Sequence, residues 1–360
     1  MGCLWAGHDR LGRATLGEGV RIQALAFTGP RELELLEDEL RGPGPAQVLV
    51  QARFSAISPG TELLIYRGHA PQELPADENL PHLSGPLRFP LRYGYSVVGQ
   101  VHALGIGVDE DWLGRWVFAF QTHQTCFVAD VAQLVPLPAG LASEEALFLP
   151  NMETAVNLLH DGAPIVGERV VVFGQGIVGL LTTALLARVP LSALLTLDRY
   201  PLRRQASLTL GATHSFDPAD SEAPARLQDL LFGGGCDLSY ELTGDPRALD
   251  QAIALTGFAG RVVIGSWYGT QRADLDLGGR FHRSRIALIS SQVSTIHPRL
   301  SGRWSKARRL DFALQLLREV RPSRFITHRF PFAAAREAFA LLDTSPGEAI
   351  QVIFEYHGEK

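Results

Sequence analysis

The chain has little cysteine: Cys3, Cys126 and Cys236 are the only three in 360 residues, far apart and without a Cys-x-x-Cys pair. An odd, scattered set argues against a disulfide framework, and a reducing cytoplasm is the simplest compartment. Long apolar runs are missing too; none reaches the roughly 20 residues that a membrane-spanning helix requires, so no membrane partner is expected. Excess positive charge is lacking, with 33 Lys and Arg against 38 Asp and Glu for a net −5, which gives no reason to expect nucleic acid. The one basic concentration, Arg299, Arg303, Lys306, Arg308 and Arg309, reads as a solvated helix face, with an anionic substrate or cofactor phosphate as the alternative. Residues 1–10 lack the charged start and apolar segment of a signal peptide, and residues 1–20 read as an N-terminal extension or a start-site artefact.

What is present is a glycine turn in an informative setting. Val170 to Phe173 form an apolar strand that runs into Gly174-x-Gly176-x-x-Gly179, and an apolar helical run follows. In a dinucleotide-binding unit the first glycine makes the tight turn, the second lets a pyrophosphate approach the backbone, and the third lets the helix pack on the strand. The anion then meets the free amides and the positive end of the helix dipole. A second apolar strand over 191–197 ends in Asp198, nineteen residues past Gly179, where an acid meets the adenosine ribose hydroxyls. A glycine turn in an ordinary α/β sheet, with Asp198 as a loop acid, is the plainer alternative.

At this length two domains are expected. Residues 20–140 are strand-rich, with alternation over Val20–Leu35 and Gln47–Phe54 and shorter strands at Val97–Ala103, Arg115–Phe120 and Cys126–Val128. Five prolines interrupt 67–90, a segment that suits a cover over a pocket. From Glu168 strands and helices alternate, which implies parallel pairing through right-handed crossovers. The last segment, with helices near 307–317 and 333–342 and a strand over 349–355, is expected to return and complete the first domain.

This order resembles the medium-chain dehydrogenase/reductase superfamily, and several motifs sit where that family has them. Gly60-Thr-Glu-Leu-Leu-Ile-Tyr-Arg-Gly68 is similar to its Gly-Thr-Asp stretch, and Tyr93-Gly-Tyr-Ser-Val-Val-Gly-Gln-Val101 to its Gly-His-Glu block. Leu149–Ala155, Glu241–Leu249 and Gly260–Gly265 match later segments. Ile57–Glu62, Tyr93–Ser96 and Phe325–Phe330 resemble the branch that holds 3-hydroxyethyl bacteriochlorophyllide a dehydrogenase and many proteins labelled zinc-binding dehydrogenases. The resemblance implies an α/β chain: a GroES-like, β-rich catalytic domain over 21–150 completed by 300–360, and a doubly wound parallel-sheet (Rossmann) domain over 151–299. It also implies a cytoplasmic homodimer acting on a small molecule.

Carried across by motif, the family's zinc ligands fall at Pro59 or Ser58, at Tyr95 and near Pro150, and its four-cysteine lobe is absent. Proline has no donor, and serine and tyrosine are poor zinc ligands, so an enzyme without zinc is expected. Glu62, Glu153, His123 and Cys126 are the one set that could in principle gather a metal, although packing explains Cys126 better. The catalytic candidates are Thr61 (proton relay or turn residue), Tyr95 (donor to the substrate oxygen or core aromatic), Glu62 (support of the site or helix cap) and Glu153 (cleft acid or exposed helix acid). Trp267 and Tyr268 shape the nicotinamide pocket or a dimer contact. The cofactor candidates are Gly174, Gly176, Ile177, Val178, Gly179, Asp198, Arg199, Thr154, Thr243 and Gly265. Asp198 favours NAD; Arg199, Arg203 and Arg204 in the same turn leave NADP open. The chemistry expected is hydride transfer between nicotinamide and an alcohol or carbonyl. Reduction of an activated C=C bond and non-catalytic NAD(H) binding stay as alternatives.

Overall fold

The computed structural model describes residues 19–75, 83 and 85–356, together with the strand segments Leu4–Trp5 and Gly12–Arg13. Most of the expected N-terminal extension, Cys3, and positions 76–82 and 84 of the proline-rich stretch lie outside the described residues. The chain divides into two compact units, one of residues 1–150, 326–345 and 351–360, the other of 151–325 and 346–350.

The first unit is built on two sheets. In the smaller, β3 (Val20–Gly29) pairs antiparallel with β1 (Leu4–Trp5), β4 (Glu32–Leu40) and β6 (Leu91–Arg92). The larger runs β10 (Val135–Pro136), β8 (Trp116–Ala119), β7 (Val97–Leu104), β5 (Gln47–Ala56), β18 (Gln351–Glu355), β17 (Ile326–Pro331). In addition β2 (Gly12–Arg13) pairs with β7 and β9 (Cys126–Asp130) with β5. In β5 the residues Val48, Val50 and Ala52 are buried while Gln47, Gln51 and Arg53 are only partly covered, the period of a half-buried strand that Leu49, buried on the other face, interrupts. The chain's last strand, β18, pairs antiparallel with β5, so the sheet closes only when the terminus has returned. Helices α1 (Pro59–Tyr66), α2 (Ser143–Ala146) and α9 (Ala335–Thr344) complete this unit.

The second unit opens within α3 (Leu149–Gly162), in whose first turn Pro150 is accommodated because no intrahelical amide is needed there. It then alternates β11 (Arg169–Phe173), α4 (Ile177–Leu186), β12 (Ala193–Leu197), α5 (Pro201–Thr209), β13 (His214–Phe216), α6 (Ala223–Leu230), β14 (Cys236–Glu241), α7 (Pro246–Leu255), β15 (Thr256–Ile264), β16 (Ala287–Ser290) and α8 (Lys306–Val320). The six strands are parallel in the order β13-β12-β11-β14-β15-β16, with the first strand of the unit at the centre. Both faces are covered. Val170 and Val172 pack on one side with Leu158 of α3 and Leu186 of α4, and Val171 and Phe173 pack on the other with Leu227 of α6 and Leu249 of α7. Each such buried side chain contributes roughly 1.5–3 kcal/mol, which is why a short run of four apolar residues anchors the sheet. This is the doubly wound arrangement expected from the strand–helix alternation. Among the described residues no helix is long and apolar enough to cross a membrane.

Candidate functional site

In a sheet of this order a crevice opens where the strand order reverses, outside the carboxyl ends of β11 and β14. The glycine turn stands there. Gly174 has φ +86°, a conformation that favours glycine, and a Cβ on it would lie 2.7 Å from the Leu242 carbonyl. Gly179 meets the turn from the helix side; a Cβ there would lie 1.9 Å from the Gly174 carbonyl. A Cβ on Gly176 would meet nothing within 4 Å. The three glycines therefore do three different jobs: turn, open approach and close packing. Gly176 is also the N-cap of α4 and has no side chain to cover the first amides of that helix, over Ile177, Val178 and Gly179. Ile177 is buried and Val178 half-buried.

Asp198, at the end of β12, is buried against this turn. Its Oδ2 accepts from the Gln175 amide at 2.7 Å and its Oδ1 from the Tyr200 amide at 2.8 Å. A carboxylate has about four lone-pair sites, so two stay open for further donors. Gln175, unremarked as the variable residue of the motif, is fully buried: it donates to the Gly174 carbonyl at 3.0 Å and accepts from Thr183 at 3.0 Å, locking turn to helix. Thr243 donates its amide (2.8 Å) and its hydroxyl to the buried Glu241 carboxylate, whose other oxygen accepts from the Tyr268 hydroxyl. Burial, then the charge of Glu241, pushes the Tyr268 phenol well above its ordinary range, so it stays a donor. Tyr268 thus ties the loop after β15 to the carboxyl end of β14. Gly265 begins that loop, donating its amide to the Glu241 carbonyl at 3.0 Å.

The three arginines of the Asp198 turn have separate fates. Arg203 donates to the carbonyls of Pro346 (2.8 Å) and Ala349 (3.0 Å), and Arg204 to Asp217 (2.9 Å) and the Asp198 carbonyl (2.8 Å). Arg199 is exposed and lies 3.3 Å from Asp245.

Elsewhere in this unit α3 carries Thr154, half-buried, and Glu153, which is paired at 3.0 Å with Arg309. Arg309 is fully buried and also donates to Asn157 and to the carbonyls of Val293 and Thr295. Burial raises the Glu153 carboxyl above its usual range against the pull of Arg309. Glu153 is therefore not an exposed helix acid. Arg309 also leaves the solvated face expected for the basic run, because it staples α3, the 293–295 loop and α8 together.

The second neighbourhood lies in the first unit, around α1. Ser58 occupies the N-cap and Pro59 follows at the first helical position, a sequence that starts a helix by fixing φ. Yet the Ser58 hydroxyl does not cap; it bonds the Tyr95 hydroxyl. Thr61 Oγ1 stands 3.5 Å from the same phenol oxygen. Ser58, Thr61 and Tyr95 are half-buried. Beneath them Glu62 is fully buried: Oε1 accepts from the Ser58 amide at 2.7 Å, and Oε2 lies 2.9 Å from His123 Nε2. His123 Nδ1 lies 2.7 Å from Ser55 Oγ, which lies 2.8 Å from the Tyr356 hydroxyl. Burial raises the Tyr356 phenol well above its ordinary range, and a backbone hydrogen bond from Gln124 reaches its oxygen. One proton arrangement satisfies the whole row: Tyr356 donates to Ser55, Ser55 to His123 Nδ1, and His123 Nε2–H to Glu62.

Gly94 makes this possible. It has φ +125°, and a Cβ there would lie 2.8 Å from His123 Cδ2. The imidazole thus takes the space a side chain between Tyr93 and Tyr95 would fill. Of the four residues weighed as a metal set, Glu62 and His123 do meet. Cys126 lies in a separate core cluster and is disulfide-bonded, where a free buried thiol was expected. Among the described residues no three His, Cys, Asp or Glu side chains come together as a metal-holding group.

Residues 178–310 match the family described as zinc-binding dehydrogenase. The chain is 25% identical over 275 residues to L-threonine 3-dehydrogenase of Pyrococcus horikoshii, covering 68% of this chain and 75% of that protein. It is 27% identical over 302 residues to (R,R)-butanediol dehydrogenase of Bacillus subtilis, covering 76% and 84%. In fold it is similar to an Escherichia coli CFT073 alcohol dehydrogenase (rspB) solved with cofactor NADH, with a TM-score of 0.75 at 18% identity over 93% of this chain and 99% of that one. Residues 178–310 are thus similar to the zinc-binding dehydrogenases, and the chain's fold is similar to that of a solved alcohol dehydrogenase.

Proposed function

We propose that this chain is an NAD-preferring oxidoreductase that transfers hydride between nicotinamide and an alcohol or carbonyl carbon of a small molecule, with hydroxyl donors in place of zinc. The observation that carries the reading is the Gly174–Gly179 turn at the reversal of strand order, with open space over Gly176 and Asp198 held against the turn. NAD, when bound, supplies the hydride chemistry. The Gly176 turn and the first amides of α4 would hold its pyrophosphate, and Asp198 the ribose hydroxyls. Thr154, Thr243 and Gly265 remain the proposed lining of the remaining length. NAD is favoured over NADP because Arg203 and Arg204 are spent on other oxygens.

Zinc takes thiolate, imidazole or carboxylate. The hydroxyls of Ser58 and Tyr95 bond each other, and both oxygens of Glu62 and both ring nitrogens of His123 are committed. That donor set does not fit the metal, so the proton at the substrate oxygen falls to Tyr95, with Ser58 and Thr61 beside it. A positioned acid or base of this kind is worth about 10²–10⁴-fold in rate. Glu62 serves from behind by gripping the Ser58 amide, and Glu153 serves as a buried ion pair in the second unit. We carry forward a homodimer as part of the same reading; the bonded state of Cys126 removes the ground on which a reducing cytoplasm was expected.

The test is metal analysis of the purified full chain together with NADH titration and product analysis on an enone. Saturable NADH binding without stoichiometric zinc, and an allylic alcohol as product, support the reading. Stoichiometric zinc overturns the hydroxyl chemistry, a saturated ketone moves the reaction to C=C reduction, and an absence of NADH binding removes the assignment.

A further inference from the structure

Strand β11 lies between β12 and β14, so the loops that follow those two neighbours stand on opposite sides of its carboxyl end, about 10 Å apart at two strand spacings. One pair of side chains spans that gap. Arg199, the residue after Asp198, places Nη2 3.3 Å from Asp245 Oδ2 on the far loop. Asp245 is itself firmly placed. Arg247 donates to it from Nη2 (2.7 Å) and Nε (3.0 Å), its Oδ1 caps α7 by accepting the Arg247 amide at 3.0 Å, and its own amide donates to Thr243 Oγ1 at 2.9 Å. The hydrogen bonds from Arg247 hold the Asp245 carboxyl below the usual range, so it is ionised whenever a nucleotide would bind.

Asp245 therefore holds both arginines of this edge, Arg199 and Arg247, while Asp198 accepts from the Gln175 and Tyr200 amides. Ribose hydroxyls need only an acceptor. A 2′-phosphate needs an unspent guanidinium and a net positive field. Resting on the dinucleotide reading above, we propose that Asp245 is a specificity-determining residue: by occupying Arg199 it denies a 2′-phosphate its partner and sets the preference for NAD over NADP. Asp198 alone would leave the choice to the arginine beside it; Asp245, 46 positions farther along the chain and on the other loop, removes that option.

Asparagine at position 245 keeps an N-cap acceptor for α7 and removes the charge, which makes Asp245→Asn the informative variant. NADH and NADPH are titrated by fluorescence against the full chain as wild type, as Asp245→Asn and as Asp245→Asn with Arg199→Ala. The ratio of the NADPH Kd to the NADH Kd falls about fivefold or more in Asp245→Asn, the fall shrinks at high salt, and it is lost in the double variant. An unchanged ratio, or a fall that survives the loss of Arg199, overturns the proposal while leaving the nucleotide site standing. A wild type that binds neither nucleotide overturns the dinucleotide reading itself and the proposal with it.

Discussion

Glu62 Oε2 and His123 Nε2 lie 2.9 Å apart with both side chains fully buried. A carboxylate in that position is tolerated only because both oxygens are occupied, one by His123 and one by the Ser58 amide. Replacing Glu62 by Leu leaves the His123 and Ser58 donors without acceptors, at about 1–3 kcal/mol each. Glu62→Gln keeps one acceptor and sets its amide against the other donor, at about 1–3 kcal/mol. Urea unfolding of the two variants should rank them in that order; equal stability to wild type in both would mean that the row from Glu62 to Tyr356 carries no weight in the fold.

The glycines make a sharper pair. Gly176→Ala adds a methyl into open space at φ −65°, a conformation alanine adopts; the gain of about 0.4–1 kcal/mol through the unfolded state is offset by alanine's poorer N-cap, so stability should stay near wild type. The same methyl occupies the approach of the pyrophosphate, and NADH affinity should fall tenfold or more, about 1.4 kcal/mol. Gly179→Ala drives its methyl to 1.9 Å from the Gly174 carbonyl and should destabilise at or beyond the roughly 1–3 kcal/mol typical of overpacking. Urea midpoints and NADH titrations on both variants check the separation of the two effects.

The glycine spacing was legible in the sequence because each glycine answers a local need of the backbone, and the continuous apolar run Val170–Phe173 marked a strand whose faces are both covered. Asp198 was legible for the same reason: it closes a strand at a fixed distance from the turn. His123 was visible only as a member of a doubtful metal set. Its partner Glu62 is 61 residues away and Tyr356 terminates the chain's last strand pairing, so no local period connects them. Gly94, with its left-handed φ, was the one local trace of the imidazole it admits. Arg309 was hidden differently, inside a run of basic residues whose other members suit a solvated face; only the acid on α3 singles it out. Asp245 caps α7, a local role that gives no sign of the arginine it meets across the sheet.

Asp343 on α9 gives a prediction in pH. Burial opposes its ionisation, but Arg31 (2.7 Å) and Arg67 (2.6 Å) hold its carboxyl below the ordinary range. A carboxyl whose folded value is depressed releases its proton more readily when folded, so its stabilising share is present above the unfolded value and is lost as pH falls through the folded one. Both arginines are partly exposed, and solvent screening limits the contribution to about 1 kcal/mol. Asp343→Asn should therefore be less stable than wild type near neutrality, and the two urea midpoints should converge in acid below the usual aspartate range. Parallel curves across that range would assign the effect to packing.

Tyr95 carries the chemical prediction. Its hydroxyl meets Ser58 Oγ and stands 3.5 Å from Thr61 Oγ1, whereas its ring packs edge-on to Tyr93 with centroids 6.1 Å apart. The ring and the hydroxyl can thus be separated by substitution. Tyr95→Phe keeps the aromatic contact and removes only the donor, so the fold and the NADH affinity should stay near wild type. If the phenol delivers the proton to the substrate oxygen, kcat for carbonyl reduction should fall by about 10²–10⁴-fold, with KM changed far less because the loss falls on the transition state. Ser58→Ala should produce a smaller fall in kcat, since it withdraws a neighbour and not the donor. A Tyr95→Phe enzyme with undiminished kcat would return Tyr95 to the role of a core aromatic and transfer the proton to Ser58 or Thr61, which the same assay on Thr61→Val would then separate.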